Sequence, residues 1–399
     1  MISRPHVHHV KRAEATAPKP TLFDSFWLGG FESACQRNMS NERIDMLAVT
    51  QHDVQCEGDY ALMRSVGIRT VRDGIRWPLI EKTPHHYDFS SFAPMLRAAN
   101  ATGIQPIFNL MHYGWPDDLE ILSSAFVERF AAMCAATARV VKSESDRVPI
   151  YVPINEISFL AWGLGTACVL SPKMPGKDTA LKRQLVRAAI AAMDAVWEVE
   201  PRARFAHVDP VINVVAPRNR PDKIQQAIDQ RNGMWESWDM LAGRRDPELG
   251  GQEKYLDIVG VNYYHSNQWE TPDLRMPWED EPRDDRWVPF HRLLDEVWMR
   301  YRKPLFIAET SHFGSGRAKW LREIAQEVYI ARMMGVPLEG VCLYPVIDRP
   351  DWENLSHWHN SGLFDFRESA GGRLERVINE EYAESLRAAQ ALLAEIGCV

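Results

Sequence analysis

The chain has 399 residues, of which 45% are hydrophobic and 25% are charged, so it has the composition of a globular protein with enough apolar material for a core. Its formal net charge of -8 disfavours a nucleic-acid-binding protein, which would need a basic face, and mildly disfavours an anionic substrate. The six cysteines are scattered without a CxxC pair, which favours reduced thiols over a disulfide framework.

The N-terminal segment 1–20 lacks the apolar core of a secretory signal, and no apolar run in the chain approaches the length of a membrane span. We therefore expect a soluble, cytoplasmic protein with no membrane or nucleic-acid partner. Residues 1–22 are interpreted as a flexible tail and residues 23–399 as one domain. His6, His8 and His9 in this tail are candidate metal ligands, although a polar, Pro-containing tail is more often simply disordered.

From residue 25 onward, short apolar runs rich in Val, Ile and aromatic residues alternate with longer segments of helical period. Eight such runs predict strands at 26–31, 69–77, 105–113, 148–156, 203–211, 256–264, 303–310 and 340–348. Three helix-like segments reach Gly67, Gly103 and Gly335 just before the next strand, as expected of glycine at a helix end. A final helix is predicted at roughly residues 376–396.

Eight consecutive βα units predict a protein of the α/β class that folds as a single (β/α)₈ TIM barrel. An open, doubly wound sheet is the alternative, because a strand count does not prove closure. No Gly-rich phosphate loop follows the first strand, which disfavours a nucleotide-binding sheet. In a barrel the active site lies at the C-terminal ends of the strands, so the residues that end each run are the candidate functional residues.

The strand ends carry two carboxylates, an arginine, amides, a histidine and several aromatic residues. They include Gln36, Arg72, Trp77, His112, Tyr113, Asn155, Glu156, Asn262, Tyr263, Tyr264, Glu309, Asp348, Asp351 and Trp352. Any one of them could be a helix cap or part of the packing at the rim. Together they favour a site that cleaves a sugar linkage, with paired carboxylates for catalysis, polar groups for hydroxyls and aromatic faces for pyranose rings.

Seven short motifs follow each other in order between about residues 26 and 366. They read FWLGGFESACQ, VRDGIRWPLI, FNLMHYGWP, PINE, VGVNYY, LFIAET and CLYPVIDRPDW. In this order and on these strands they resemble the motifs of the family 1 glycoside hydrolases, the β-glucosidases and their relatives, within the clan of retaining (β/α)₈ glycosidases. Each motif alone is a weak signal, and the chain is shorter than is typical of that family.

The resemblance implies a set of catalytic residues. Glu156 stands at the position of the acid/base, and Glu309 stands at the position of the nucleophile. Arg72 lies where the family has an arginine beside the nucleophile, and Tyr264 lies where a tyrosine touches it. Asn155 stands where an asparagine hydrogen-bonds the sugar 2-hydroxyl.

The resemblance also implies a set of substrate-binding residues. Gln36 and His112 stand at positions that bind the glycone. Tyr344 replaces the tryptophan of the family, and Asp351 replaces a glutamate that grips the outer hydroxyls of the sugar, with Trp352 beside it. Asp is one methylene shorter than Glu, so the identity of the sugar stays open.

The implied reaction is a double displacement through a covalent glycosyl-enzyme on Glu309, with Glu156 first as acid and then as base. It requires no metal and no organic cofactor, and its partner is a small glycoside or oligosaccharide. A transglycosidase with the same residues and a catalytically weakened sugar-binding barrel are the alternatives.

Other features near the predicted site leave the substrate undecided. No lysine follows Lys319, which disfavours a phosphorylated sugar, although Arg349 could substitute for it. The Trp- and acid-rich segment 269–287 is either an outer wall of the site or a solvated rim loop. His357 and His359 are expected near the sugar, with no role assigned to them.

Overall fold

The structure, a computed structural model, describes residues 17–399. Eight parallel strands form a closed barrel in chain order, and the first strand pairs with both the second and the last. We label them β1 to β8: Trp27–Gly30, Thr70–Gly74, Gln105–Asn109, Ile150–Val152, Arg204–Pro210, Ile258–Asn262, Leu305–Thr310 and Leu338–Leu343. The predicted α/β class and (β/α)₈ barrel are confirmed, and the open sheet is excluded.

Helices surround the barrel and lie largely in the segments between its strands. The α-helices are Met46–Val49, His52–Ser65, Trp77–Ile80, Ala93–Thr102, Ser124–Glu144, Ile157–Gly165, Asp178–Val199, Ile224–Asn232, Glu236–Leu241, Phe290–Tyr301, Gly316–Met333 and Glu380–Ala394. Short 3₁₀ helices span Phe89–Ser91, Pro221–Lys223, Gly233–Trp235, Pro247–Leu249 and Glu253–Tyr255. Gly67, Gly103 and Gly335 adopt positive φ angles of 80°, 68° and 87°, which confirms their predicted role as helix ends.

The observed elements differ from the predicted ones mainly at their ends. The run 148–156 forms a strand only over Ile150–Val152, because the chain turns out of the barrel before Glu156. The last helix starts at Glu380 rather than near residue 376, because Leu374–Ile378 pairs with Phe364–Glu368 in an antiparallel hairpin. A separate three-stranded sheet contains Asn213–Val215, Gln268–Glu270 and Leu274–Arg275.

Apolar side chains from alternate strand positions fill the barrel interior, as in other (β/α)₈ barrels. They are Leu28, Ile107, Ile150, Val152, Ala206, Val208, Ile258, Phe306, Ala308, Cys342 and Tyr344. Leu22 and Phe23 pack against this cluster. Because these side chains fill the interior, the candidate site lies above them at the C-terminal ends of the strands.

The described residues of the predicted tail contact the barrel. The backbone amides of Thr21 and Leu22 donate to Glu339 at 2.8 and 3.0 Å, and Arg332 donates to the carbonyl of Pro18 at 2.6 Å. The rest of the tail, with His6, His8 and His9, lies outside the described residues. Within residues 17–399, no helix is both long enough and apolar enough to cross a bilayer. All six cysteines are unpaired.

Candidate active site

Glu156 and Glu309 lie next to each other at the C-terminal end of the barrel. Glu309 belongs to β7, where it is in register with Asn262 of β6. The side-chain amide of Asn262 donates to Oε1 of Glu156 at 2.8 Å. Both glutamates are buried, with 7% and 4% of their surface exposed. Asn262 therefore links the carboxylate of Glu156 to the strand position paired with Glu309.

Glu309 is surrounded by groups that stabilise its negative charge. Arg72, which is fully buried on β2, donates from Nη1 to Oε1 of Glu309 at 3.0 Å and to the carbonyl of Ala308 at 2.7 Å. The hydroxyl of Tyr264 donates to Oε2 of Glu309 at 2.7 Å. The guanidinium of Arg72 also lies 5.2 Å from the ring centroid of Tyr344. Glu309 thus receives two hydrogen bonds, one of them from a buried guanidinium.

Glu156 has the opposite environment. Burial raises its pKa, and the negative charge of Glu309 adds to the effect, giving a value of about 8. Hydrogen bonds from Tyr113 to Oε2 and from Asn262 to Oε1 act in the other direction, since they favour the charged form. Glu156 can therefore hold a proton at neutral pH while Glu309 is paired with a guanidinium. Two carboxyl groups with unlike surroundings are the arrangement that separates an acid from a nucleophile.

The backbone at Glu156 is held in an uncommon conformation. Its φ is +45°, in the left-handed region, and it directly precedes the helix Ile157–Gly165. Its amide donates to the carbonyl of Val208 at 3.1 Å, which fixes the turn against the neighbouring strand β5. Non-glycine residues in this region are uncommon and cluster at active sites, and this one lies at the C-terminal end of the barrel.

Asn155 connects the two glutamates through hydrogen bonds. Its Oδ1 accepts from Nη2 of Arg72 at 2.7 Å, and its Nδ2 donates to the hydroxyl of Tyr113 at 3.0 Å. The bonds thus run from Glu309 through Arg72, Asn155 and Tyr113 to Glu156. This chain fixes both carboxylates with respect to each other.

Tyr113 is a residue for which sequence reasoning found a position but no role. It follows His112 at the end of the third predicted strand, which placed it near the site. Its φ of +68° directs the chain so that its hydroxyl reaches Glu156. The sequence carries no signal of this conformation, because Tyr is not a residue that prefers the left-handed region.

His112 adjoins the hydrogen-bonded group, since its Nε2 lies 3.3 Å from Nδ2 of Asn155, and Gln36 is a buried amide that follows β1. Gln36 is 2% exposed, yet neither polar atom of its side-chain amide has a hydrogen-bond partner. His112 is within 3.2 Å of Ser33 Oγ and 3.3 Å of the hydroxyl of Tyr344, both from Nδ1. Burial and the charge of Arg72 lower the pKa of His112 well below its usual value, so its ring is neutral. The amide of Gln36 is therefore a buried polar group that still has hydrogen-bonding capacity for a ligand.

Glu32 is a buried carboxylate that the sequence did not single out. Its Oε1 lies 3.5 Å from Nε2 of His112, and its Oε2 lies 3.3 Å from Nε of Arg349. Burial raises the pKa of Glu32, and the positive charge of Arg349 opposes that rise. Arg349, the predicted substitute for a lysine in this loop, is therefore paired with a carboxylate of the chain itself. Only the folded barrel brings these two distant residues together.

The structure places Asp351 apart from the hydrogen-bonded group around the two glutamates. Its Oδ1 accepts from the backbone amides of Glu353 and Asn354 at 2.8 and 3.1 Å, and its Oδ2 lies 3.4 Å from Nε2 of His359. About 40% of its side chain is exposed. Asp351 thus stabilises the turn of its own loop, while part of its side chain is exposed to solvent. His357 lies near His359, with ring centroids 5.9 Å apart.

Trp352 lies closer to the site than Asp351. Its ring centroid is 5.9 Å from that of Tyr113, and the guanidinium of Arg349 lies 5.4 Å from the Trp352 ring. The indole nitrogen of Trp352 is buried without a hydrogen-bond partner. Its ring therefore packs against the residue that hydrogen-bonds Glu156.

The segment 269–287 is folded rather than a loose rim loop. It continues from the small outer sheet, and its Trp278 is 2% exposed, with its ring centroid 5.1 Å from that of Trp320. The indole N–H of Trp278 donates to Glu323 at 2.9 Å. The buried ring of Trp278 therefore anchors the segment and does not face solvent.

Comparison with known proteins supports the fold. No protein-family model matches the chain, and no curated protein sequence matches it either. A β-glucosidase from Thermotoga maritima in complex with glucoimidazole superimposes with a TM-score of 0.72 at 14% identity, over 94% of this chain and 99% of that one. A family 1 β-glucosidase from the same organism gives a TM-score of 0.71 at 14% identity, over 94% and 99% of the two chains.

A third solved structure, the AHE enzyme from Alicyclobacillus herbarius, gives a TM-score of 0.67 at 17% identity, over 85% of this chain and 88% of that one. At such identities the likeness establishes the fold and not the activity. It confirms the predicted resemblance of the fold to family 1 β-glucosidases.

Proposed function

We propose that this protein is a retaining β-glycosidase. The observation that carries the proposal is the pair of buried glutamates with opposite surroundings, one paired with Arg72 and Tyr264 and the other with a raised pKa. The structurally similar β-glucosidases, among them one bound to glucoimidazole, support the same reaction class. A protein that only binds sugar does not need two buried glutamates, because burial of an ionisable group lowers the stability of the folded chain.

In the proposed reaction, Glu309 attacks the anomeric carbon while protonated Glu156 donates its proton to the leaving oxygen. The glycosyl group is then bonded to Glu309, and Glu156 has become a carboxylate. Glu156 next takes a proton from a water molecule, whose oxygen attacks the anomeric carbon and releases Glu309. Asn155, held by Arg72 and Tyr113, is placed to hydrogen-bond the sugar 2-hydroxyl.

The substrate proposed for this site is a neutral β-glycoside. Gln36 and His112 would bind hydroxyls of the first sugar, and Tyr344 would border its ring. Arg349 is already paired with Glu32, so it is not free to bind a phosphate group. Asp351 and Trp352 are proposed to contact the outer part of the substrate. The exposed part of the Asp351 side chain is available for this contact. The residues provide the acid, base and nucleophile without a metal or organic cofactor.

The cellular location proposed for the protein is the cytoplasm. All six cysteines are unpaired and five of them are buried, as is usual in a reducing compartment.

The two glutamates can be told apart by chemical rescue. Glu309→Ala should abolish the hydrolysis of nitrophenyl β-glycosides. Added azide should restore the release of nitrophenol, because the anion fills the vacated space, attacks the anomeric carbon and forms a glycosyl azide of inverted configuration. Azide rescue of Glu156→Ala should instead give the retained configuration, since the covalent step survives with an activated leaving group. Swapped outcomes would reverse the two assignments.

Assays of the wild-type protein with nitrophenyl β-glycosides test the two alternative functions, a sugar-binding barrel and a transglycosidase. A panel of nitrophenyl β-glycosides that gives no turnover, while sugar binding is intact, would support the sugar-binding barrel instead. Transfer to added alcohols in preference to water would support the transglycosidase.

A further inference from the structure

Two histidines and a glutamate form a cluster outside the two-glutamate site. His265 follows β6 and His312 follows β7, while Glu279 belongs to the segment 269–287. One possible ligand atom from each residue lies within 4.8 Å of the other two. The two imidazole rings have their centroids 4.2 Å apart. Three separate parts of the chain thus bring metal-ligating groups to one point.

Both imidazoles have a buried ring nitrogen without a hydrogen-bond partner. These atoms are Nδ1 of His265 and Nε2 of His312. The side chain of His312 is only 6% exposed, so water does not compensate its free nitrogen. Buried polar atoms in proteins are normally paired, so two unpaired nitrogens on adjoining rings point to a ligand.

The backbone of Phe313 holds the ring of His312 in place. Its Nδ1 accepts from the N–H of Phe313 at 2.8 Å and lies 2.9 Å from the carbonyl oxygen of the same residue. Binding of an ion through Nε2 requires the tautomer with the proton on Nδ1, in which the ring donates to this carbonyl instead. A backbone carbonyl that orients the ring in this way is a usual partner of a metal-bound histidine.

Glu279 has one oxygen that faces the histidines. Its Oε1 is 3.8 Å from Nε2 of His312. Its carboxylate also accepts from Nη1 of Arg275, at 2.9 Å through Oε2 and 3.2 Å through Oε1. The Glu279 side chain is 45% exposed and can therefore adjust its position, with Oε2 remaining on Arg275 while Oε1 binds an ion.

We propose that His265, Glu279 and His312 bind a divalent transition-metal ion, with Zn²⁺ as the best match. Bonds from Zn²⁺ to nitrogen and oxygen are about 2.0–2.2 Å long, so two ligand atoms of one ion lie at most about 4.4 Å apart. The separation of 3.8 Å between His312 and Glu279 already meets this limit, and the remaining gap needs only a small movement. Two imidazoles favour Zn²⁺ over Mg²⁺ or Ca²⁺, which prefer oxygen ligands, and they leave a fourth position for water.

The ion would fasten segment 269–287 to the end of the barrel. His265 directly follows Tyr264, and His312 lies three residues after Glu309. The site therefore holds the loops that begin next to the two-glutamate site. This inference does not depend on the proposed glycosidase activity, because it concerns a separate set of side chains.

Metal binding by the full-length chain tests the proposal. His6, His8 and His9 are first replaced by Asn, because this tail offers competing ligands. After treatment with a chelator, calorimetric titration with Zn²⁺ should show one ion per chain, and the ion should raise the melting temperature. Glu279→Gln and His265→Asn should each weaken binding at least about tenfold. Arg275→Gln should tighten it, because a competing cation is removed.

Glu281→Gln is the matched control. Glu281 lies on the same segment with 72% of its side chain exposed and is not part of the cluster, so this variant should bind Zn²⁺ as tightly as the parent. Absence of saturable binding once the tail histidines are replaced would overturn the proposal. Equal binding by the Glu279→Gln and Glu281→Gln proteins would do so too. Because no activity is measured, either result leaves the glycosidase proposal untouched.

Discussion

Glu156 and Glu309 are identical in chemistry, and their neighbours make them different. Arg72 and Tyr264 act on Glu309 only, whereas Glu156 receives hydrogen bonds from the neutral donors Tyr113 and Asn262. A neutral donor stabilises the carboxylate less than a guanidinium does, so burial and the charge of Glu309 determine the pKa of Glu156. Tyr113 is thus a positioning residue that also limits how far this pKa rises.

Tyr113→Phe should move the alkaline limb of the pH profile of kcat/KM to higher pH. The proposed acid must be protonated, so activity should fall as pH rises through the Glu156 pKa of about 8. Loss of a hydrogen bond to the charged form raises that pKa further. Such a bond is worth roughly 1.5–3 kcal/mol, which corresponds to a shift of about 1–2 pH units.

Tyr87→Phe provides the control for this change, because the hydroxyl of Tyr87 has no hydrogen-bond partner. Its profile should match that of the wild type. An alkaline limb that stays in place in Tyr113→Phe would mean that Glu156 is not the group whose titration it reports.

At the level of elements, the close approach of β1 and β8 supports the floor of the site. A Cβ atom at Gly30 of β1 would lie 2.0 Å from Cδ2 of Tyr344, which follows β8. The Tyr344 hydroxyl donates to the carbonyl of Phe31 at 3.1 Å, and the guanidinium of Arg72 lies over its ring. The absence of a side chain at Gly30 is therefore what allows Tyr344 to lie beneath Arg72.

Gly30→Ala should displace the ring of Tyr344 and with it Arg72. We expect a loss of roughly 1–3 kcal/mol in the free energy of unfolding, as for other overpacked sites, together with a fall in kcat/KM. Gly58→Ala is the control, because nothing lies within 4 Å of a Cβ there and the residue is inside the helix His52–Ser65. It should stabilise the protein by about 0.5–1 kcal/mol and leave kcat/KM unchanged. Equal behaviour of the two variants would contradict this account.

At the scale of the whole molecule, a buried ionic network connects the C-terminal hairpin to the barrel. His52 lies 2.7 Å from Asp59 through Nδ1 and 2.8 Å from Asp73 of β2 through Nε2. Arg376 of the hairpin donates to both oxygens of Asp59, at 2.7 and 2.8 Å. Burial lowers the pKa of His52, but the charges of Asp73 and Asp59 outweigh it and raise the pKa to about 9.

This network should make the protein less stable at alkaline pH. The folded-state pKa of His52 lies above its ordinary value of 6.5, so its contribution is fully present below pH 6.5 and is lost as pH rises through about 9. The shift corresponds to a loss on the order of 3 kcal/mol in the free energy of unfolding. Denaturant titrations between pH 6 and 10 should show the decline.

His52→Gln should remove most of this decline and lower the stability at pH 6. His86→Gln changes an exposed histidine of the same chain, and it should keep the slope of the wild type. A stability curve that is equally steep in His52→Gln and in the wild type would show that other groups cause it.

The hydrophobic pattern of the chain was enough to predict eight strands and the residues at their C-terminal ends. These features depend on local periodicity, which each segment carries independently of the others. Closure of the strands in chain order then requires that Arg72, Asn155, Glu156, Tyr264 and Glu309 meet. The local pattern missed the hairpin at Leu374–Ile378, because that strand is defined by its partner and not by its own period.

Only the tertiary structure decided which of these groups touch. The hydroxyl of Tyr113 reaches Glu156 because a positive φ turns the chain, and Glu32 meets Arg349 because β1 and β8 are neighbours in the closed barrel. Such pairings depend on backbone turns and on contacts between distant residues, neither of which leaves a periodic signal in the sequence. The electrostatic difference between the two glutamates follows from the same contacts, since burial and nearby charge determine a pKa and both are properties of the folded chain.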